Sequence, residues 1–508
     1  MLMKRRTASV ALLVAAVNLG GLTAAAPADA WMRVTKQITQ PVVKRVTQPV
    51  VQKVQPVVQK VKPVVQTVKP VVETGSRAVS YVAPGVPQPA APPTGSLGAS
   101  PMQIAFGNST TIGTPEYWSD KWQRLINEDK SRFTLPWPAD LLKPELILPS
   151  EAIPNGPEVA PLPRAPKDLS GLRYTHLGQT RSIADYMRTT ETDAIVFVQN
   201  GALVAEAYAN GYSPTQQHQP WSVTKSFVSS LVGIAQDEGR IGSLDDPIEK
   251  YIPDLRNTAW AGTTVRNIIE MEAGIEWNEA TPVVTENSAL VQWAHLWLDY
   301  VSNGKAGMDR NEFLASLKRI HPQGTKWHYS SGNTQVLAWM LEQVYGKSFA
   351  KIASEKIWKP AGMQAPAAMA TDRHGNALAS QGLYSIPYDL TRFGQLMLNR
   401  GRAWNGRQLV SERWVSESTD MNRPSGVDGG YGYHWGVNHV DNTGFQGYGF
   451  QGNFLAISPS RCIVSLRMAH TVGITVGVKN GFDFALDMGA PEWNDLRRAV
   501  YPALGGCA

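Results

Sequence analysis

Two β-prone stretches bracket a long helical one, and that order restricts the fold of this chain more than any other feature. Residues 194–208 read as a hairpin, with Ala194-Ile195-Val196-Phe197-Val198 and Ala202-Leu203-Val204-Ala205 around Gln199-Asn200-Gly201. Asn-Gly supplies the left-handed backbone that a tight turn needs. Helical periodicity follows at 265–271, 311–320, 334–344, 349–357 and 388–400, separated by Gly and Pro. After Pro424 the pattern returns to strands at 433–439, 454–458 and 463–468, with 482–496 as a closing helix broken near Pro491. Such a chain builds one sheet from both of its ends and sets a helical lobe beside it. The fold class expected is α/β (α+β), an antiparallel sheet flanked by helices (168–221 and 425–508) plus an all-helical lobe (222–424). A cleft between the two is the natural place for a site.

The N-terminal part has a different character. Lys4-Arg5-Arg6, an uncharged run over 7–27 and Ala28-Asp29-Ala30 form the three parts of a secretory signal peptide over 1–30, cleaved before Trp31. An uncleaved anchor is the alternative, although Asn18, Gly20 and Gly21 suit one poorly. The chain is therefore expected to be exported, periplasmic or secreted. Residues 31–114 read as linker. Within them Pro49, Pro56, Pro63 and Pro70 fall seven residues apart, each followed by Val-Val. A proline in every repeat breaks the helix of a coiled coil, so an extended, polyproline-like spacer is expected. Residues 1–80 hold twelve Lys and Arg against Asp29 and Glu73, a balance of +10. The whole chain carries +6, which leaves about −4 for the remainder. The basic character belongs to the tail, whose 31–80 repeat can touch an anionic cell-envelope surface, and nucleic-acid binding by the body has no support. Folded sequence is expected from 115, with the proline-dense 131–167 as an ordered wrap rather than helix or strand. An exported chain meets oxidising conditions, so Cys462 and Cys507 are candidates for a disulfide pinning the C-terminus to a late strand.

Residues 220–239 carry the chemistry. Val223, Phe227, Leu231 and Ile234 recur at helical spacing and Gly239 is placed to end the helix. Ser222 falls in the first turn, where unpaired N–H groups favour negative charge, and Lys225 shares its face. In an apolar pocket lysine loses its proton more readily and can serve as a base toward Ser222. The spacing alone is not diagnostic, because Ser348 and Lys351 repeat it; Ser348 reads as a helix N-cap. No Gly-x-Ser-x-Gly elbow, His-Glu-x-x-His helix or phosphate-binding glycine loop occurs. Two cysteines do not make a metal site. His328 reads as a structural histidine.

Ser222-Val223-Thr224-Lys225, Tyr329-Ser330-Ser331 and Gly447-Tyr448-Gly449-Phe450-Gln451-Gly452 together resemble the three boxes of the penicillin-recognising serine hydrolases. The branch most similar is that of class C β-lactamases with their esterase and amidase relatives, including the 6-aminohexanoate-dimer hydrolases. Leu244-Asp245-Asp246-Pro247, Pro360-Ala361-Gly362-Met363 and Asp389-Leu390-Thr391-Arg392-Phe393-Gly394 extend the likeness over roughly 168–500. The resemblance implies a β-lactamase/transpeptidase-like fold and acyl transfer without cofactor or metal. Ser222 is the implied nucleophile. Lys225 or Tyr329 is its base, and Tyr329 passes the proton to the leaving group, its phenol pKa lowered by the nearby ammonium. The N–H groups of Ser222 and Phe450 form the oxyanion hole. Gly449 and Gly452 line a strand edge along the cleft, Ser331 faces substrate, and Trp297, with Trp293 and Tyr300, falls where relatives place a substrate-binding loop. The chain departs from the lactamases at Gly447, where they carry a lysine, and at Ser331, where many carry asparagine. Both departures argue against efficient penicillin turnover and favour non-lactam amides or esters, of which a small linear amide, as in the aminohexanoate-oligomer hydrolases, is the first expectation. A carboxylesterase, a weak β-lactamase, or a catalytically silent envelope-binding module are the other readings.

Overall fold

The computed structural model of the 508-residue chain describes residues 102–103, 150–277, 279, 289, 292–293, 308–372, 374–420, 430–439, 444–470 and 490–507. All belong to one unit, Gly85–Ala508. In chain order the first elements are β1 (Met102–Gln103), β2 (Ser150–Ile153), β3 (Tyr174–His176), β4 (Gln179–Arg181), α1 (Ile183–Thr189), β5 (Thr192–Gln199) and β6 (Ala202–Tyr208). The middle of the chain gives α2 (Val223–Asp237), α3 (Val265–Ile269), α4 (Arg310–Ser316), α5 (Ser331–Tyr345), α6 (Phe349–Ala353), β7 (Ala367–Ala370), β8 (Leu383–Tyr384), α7 (Pro387–Leu398) and α8 (Glu412–Ser418). The last elements are β9 (Gly436–His439), β10 (Gly444–Gly449), β11 (Asn453–Ser458), β12 (Ile463–Ala469) and α9 (Ala490–Leu504).

A seven-stranded sheet runs in the order β1-β6-β5-β12-β11-β10-β9. Its middle seam is the antiparallel pairing of β12 with β5, from Ile463 opposite Gln199 to Met468 opposite Ala194. The two chain ends therefore meet in one sheet, as the sequence order demands. Alternation along β5 then sorts its side chains to two faces. Val196 and Val198 join the large core shared with α2, α5 and α7. Ile195 and Phe197 join a second core under α1 and α9, where Trp493 stacks on Phe197 with ring centroids 6.0 Å apart. Every residue of β5 is buried because both faces are covered.

Helix α2 lies in the interior, buried from Val223 to Ala235, with Thr224, Lys225, Ser226, Ser229 and Ser230 among its buried residues. Its Gly233 admits the Trp414 indole of α8 where a Cβ would stand 2.4 Å from the ring. The helix ends as expected at Gly239, with φ of 70°. Helix α7 carries Gly394 against β12, where a Cβ would meet Val464 at 2.5 Å. These two glycines set how closely helix and sheet approach.

Several expectations are corrected. Residues 150–153, inside the proline-dense wrap, form a strand that pairs antiparallel with β7, because the prolines lie outside that short run. The rest of the wrap is irregular and runs beside β6, with Ala165 N–H donating to Leu203 O and Lys167 N–H to Val204 O. Met102–Gln103, within the expected linker, pairs in parallel with β6. The closing helix begins at Ala490 and carries its internal proline at Pro502; 482–489 lie outside the described residues. The hairpin β3–β4 and helices α1 and α8 were not anticipated. Cys462 and Cys507 are disulfide-bonded, with Cα atoms 5.1 Å apart, and join the turn after β11 to the segment after α9. Among the described residues no helix is long and apolar enough to cross a membrane, and the uncharged 7–27 run and the repeat lie outside them.

Candidate active site

Ser222 occupies the N-cap position of α2, yet its hydroxyl caps no backbone N–H. The hydroxyl is instead directed at Lys225, whose Nζ lies 2.7 Å from Ser222 Oγ. Lys225 is 1% exposed, so it has little water to solvate a charge. Its second hydrogen bond goes to the carbonyl of Ser380, at 3.0 Å, and Ser380 is held in turn by Gln335 of α5. Burial lowers the amine pKa to about 8, while the Glu279 carboxylate opposes that shift. A neutral lysine within hydrogen-bond reach of a serine hydroxyl is a general base in position.

Tyr329 approaches from the segment before α5, with Lys225 Nζ 5.1 Å from its ring centroid and a hydrogen bond to Ser222. The expected direction for its phenol is corrected. Loss of water, then Tyr431 and Glu279, push its pKa well above the ordinary value, and the bond to Ser222 only partly offsets them. Tyr329 is a protonated donor at neutral pH. Tyr431 meets it edge-on at 6.3 Å, and Trp327 completes an aromatic wall.

The third sequence box forms β10 and the turn after it. Among the described residues partner strand β9 pairs only as far as Gln446, and Gly447–Gly449 continues past it beside α2. At Gly449 a Cβ would stand 2.1 Å from the carbonyl oxygen of Pro220; only glycine lets the strand come this close to the loop before the nucleophile. The Trp221 and Phe450 rings meet edge-on at 5.2 Å. Trp221 holds a left-handed backbone, φ 49°, as does Gln451 at φ 61°. The two are joined by Trp221 Nε1 donating to Gln451 Oε1 at 3.0 Å. Strained residues persist where surrounding contacts over-determine them. Gly452, φ 84°, ends the turn, and its carbonyl accepts from buried Arg467 at 2.9 Å. The Phe450 carbonyl accepts from Asn453 at 2.7 Å.

Other expectations fare differently. Ser331 does not face an open cleft. Its N–H and its Oγ donate to the two carboxylate oxygens of Glu279, each at 2.8 Å, which consumes it. Gly447 lacks a cation, and a side chain there would push its neighbours by a few tenths of an ångström, since a Cβ would lie 3.1 Å from Ser226 Oγ and 3.3 Å from Val223 Cγ1. Trp293 is core, packed against Trp277 and Phe313; Trp297 and Tyr300 lie outside the described residues. His328 is structural, with Nε2 bonded to the Trp277 carbonyl. Ser348 is an N-cap by position, but its Oγ donates to Glu151 rather than to the helix. Sequence reasoning missed Glu279, Ser380, Tyr431 and Trp221. Of these only Trp221, adjacent to Ser222, carried a positional signal.

Comparison with known proteins agrees with this geometry. The Beta-lactamase family profile matches residues 180–485, more than half of the chain and all three boxes. The chain belongs to the beta-lactamase family. It is a serine hydrolase of that family, related to a 6-aminohexanoate-dimer hydrolase of Paenarthrobacter ureafaciens. The two are 28% identical over 324 residues, 59% of this chain and 80% of that one. A beta-lactamase of Psychrobacter immobilis is 30% identical over 108 residues, which cover 19% of this chain and 27% of that one. The fold matches a solved Bacillus anthracis protein, assigned as a 6-aminohexanoate-dimer hydrolase, with a TM-score of 0.62. That match has 24% identity and covers 80% of this chain and 99% of that one. The beta-lactamase fold with its antiparallel sheet is the one anticipated, although the lobe expected to be all-helical over 222–424 also carries β7 and β8, which join β2 in a three-stranded sheet.

Proposed function

We propose that this beta-lactamase-family hydrolase cleaves a small linear amide through an acyl-Ser222 intermediate. The carrying observation is the 2.7 Å contact between Ser222 Oγ and a buried amine whose pKa burial lowers to about 8. In this mechanism neutral Lys225 takes the Ser222 proton as Oγ attacks the carbonyl carbon. The oxyanion rests on the N–H groups of Ser222 and Phe450. As the tetrahedral intermediate collapses, the amine leaves with a proton relayed through Tyr329 from the lysine ammonium. Water then attacks the acyl carbon and passes its proton to Lys225, which returns it to Ser222 Oγ as the acyl C–Oγ bond breaks, and the acid is released. Assignment of the base to Lys225 rather than Tyr329 is supported by the opposite directions of their pKa shifts.

The substrate class is supported by the named relative, a 6-aminohexanoate-dimer hydrolase, and by charge. Gly447 stands where lactamases carry a lysine, and the Glu279 carboxylate beside the site would repel the carboxylate of a penicillin. We propose further that the chain is exported, on the 1–30 leader pattern and a disulfide that suits an oxidising compartment. Its basic 31–80 repeat would contact an anionic envelope surface. A fluorophosphonate probe tests the nucleophile: wild type is expected to be labelled on Ser222 and Ser222→Ala not at all. Among aminohexanoate dimer, p-nitrophenyl esters and a chromogenic cephalosporin, the dimer is expected to be turned over best. Preferential cephalosporin turnover would overturn the substrate reading.

A further inference from the structure

Three buried side chains of metal-ligating type meet outside the catalytic constellation. Asp193 is the second residue of β5, His218 lies in the loop between β6 and Ser222, and His470 follows β12 directly. They are 0%, 3% and 5% exposed. Their ligand atoms all fall within 4.8 Å of one another. Asp193 Oδ2 lies 3.3 Å from His218 Nε2 and 2.5 Å from His470 Nδ1. We propose that Asp193, His218 and His470 bind a divalent first-row transition ion, of the zinc type, that fastens the loop before Ser222 to the sheet.

The hydrogen bonds around His218 favour a cation. Its Nδ1 lies 3.0 Å from the carbonyl oxygen of Gln219. A carbonyl can only accept, so Nδ1 carries the hydrogen and the neutral ring turns the Nε2 lone pair toward Asp193 Oδ2. That oxygen is also an acceptor. Two acceptors facing each other in a dry interior repel unless a positive charge lies between them, which a proton or a metal ion supplies.

The surroundings have the pattern of a supported ligand set. A metal-binding histidine commonly donates its second ring N–H to a carbonyl, as His218 does, and its carboxylate neighbour is commonly hydrogen-bonded. Here Asn210 Nδ2 donates to Asp193 Oδ1 at 2.9 Å. The His218 backbone is fixed by a two-way bridge to Ser385. The Tyr212 ring covers both imidazoles, with centroids 5.1 Å from His218 and 5.6 Å from His470. Two imidazoles and one carboxylate suit zinc, cobalt, nickel or iron better than the oxygen-seeking magnesium or calcium. Tetrahedral bonds of about 2.0–2.2 Å separate ligand atoms by roughly 3.3–3.5 Å, which the Asp193–His218 distance meets. The Asp193–His470 contact is shorter than this and widens as an ion enters. No local spacing announces such a site, because His218 lies 25 residues after Asp193 and His470 more than two hundred beyond.

The ligands tie the ends of β5 and β12 to a loop that reaches Ser222 four residues later, through strained Trp221. The role is structural and does not depend on the acyl-enzyme reading. The test uses the full chain stripped with a chelator, then titrated with zinc and with cobalt(II). Wild type is expected to take up one equivalent by elemental analysis, to melt at a higher temperature with zinc than without, and to give the visible absorption of tetrahedral cobalt. His470→Ala is expected to bind at least tenfold more weakly, while His470→Cys keeps the equivalent and adds a sulfur-to-cobalt charge-transfer band. A cluster held by hydrogen bonds alone would not produce that band. The proposal is overturned if stripped wild type takes up no zinc or cobalt, or if His470→Ala binds as wild type does. The wild-type titration decides the matter even where a variant fails to fold.

Discussion

The reactivity of Ser222 rests on a lysine with little water around it. Lys225 has two hydrogen-bond partners, Ser222 and the Ser380 carbonyl, and burial lowers its pKa to about 8. A base must be neutral to accept a proton, and the neutral fraction grows as pH rises through that value. We therefore expect kcat/KM to rise with pH on a limb centred near 8, and Lys225→Ala to lose about 10²–10⁴-fold in kcat. Glu279 raises the Lys225 pKa, so in Glu279→Gln the limb is expected to move to lower pH. A pH–rate profile checks both, and a limb unmoved or moved upward would remove Glu279 from the account. At this scale Ser222, Lys225 and Tyr329 were legible because their boxes are contiguous in sequence. Glu279 was not, since it meets Ser331 across 52 residues and only folding brings them together. The direction of the Tyr329 phenol shift is not legible because sequence shows a neighbouring lysine but not the burial that strips water from the phenol.

At the scale of elements, the site depends on how closely β10 approaches the start of α2. Gly449 sets that approach: a methyl there would stand 2.1 Å from the Pro220 carbonyl oxygen, an atom of the backbone. We expect Gly449→Ala to destabilise the protein by about 1–3 kcal/mol, as overpacking does. It should also cost on the order of 10²-fold in kcat, since small displacements of catalytic groups have effects of that size. Denaturant titration beside steady-state kinetics tests this, and a variant with wild-type kcat would show that the β10 contact does not position the nucleophile. Periodicity located α2, α5 and α7 because each has a long apolar pattern or clear punctuation. It missed β2, where Ser150–Ile153 is too short to show alternation and becomes a strand only by pairing with β7. It also gave no hint that Gly447 abuts Ser226, because helix-to-strand distance is not written in either element.

Across the whole molecule, the sheet is closed by its last residues. Cys507 reaches back 45 positions to Cys462, and the adjoining carbonyls of Gly505 and Gly506 accept from Gln199 of β5. Closing a loop of that length stabilises by about 4 kcal/mol on chain-entropy grounds, with measured values commonly about 2–4. Cys462→Ser with Cys507→Ser is expected to lose stability in that range by denaturant unfolding while keeping kcat, because the bond lies at the turn after β11 and not at the Ser222 end of α2. Unfolding midpoints identical to wild type would contradict this. The β–helical–β order made the architecture legible, since two strand regions far apart in sequence must share a sheet to bury their apolar faces. The central claim is that the sheet and α2 together present Ser222 as the covalent nucleophile. It is tested most directly by acid-quenching a slowly deacylating p-nitrophenyl ester reaction and measuring protein mass. The account predicts an adduct of the acyl mass on the peptide containing Ser222, accumulating in wild type and absent from Ser222→Ala. An adduct on another residue, or turnover undiminished in Ser222→Ala, would contradict it.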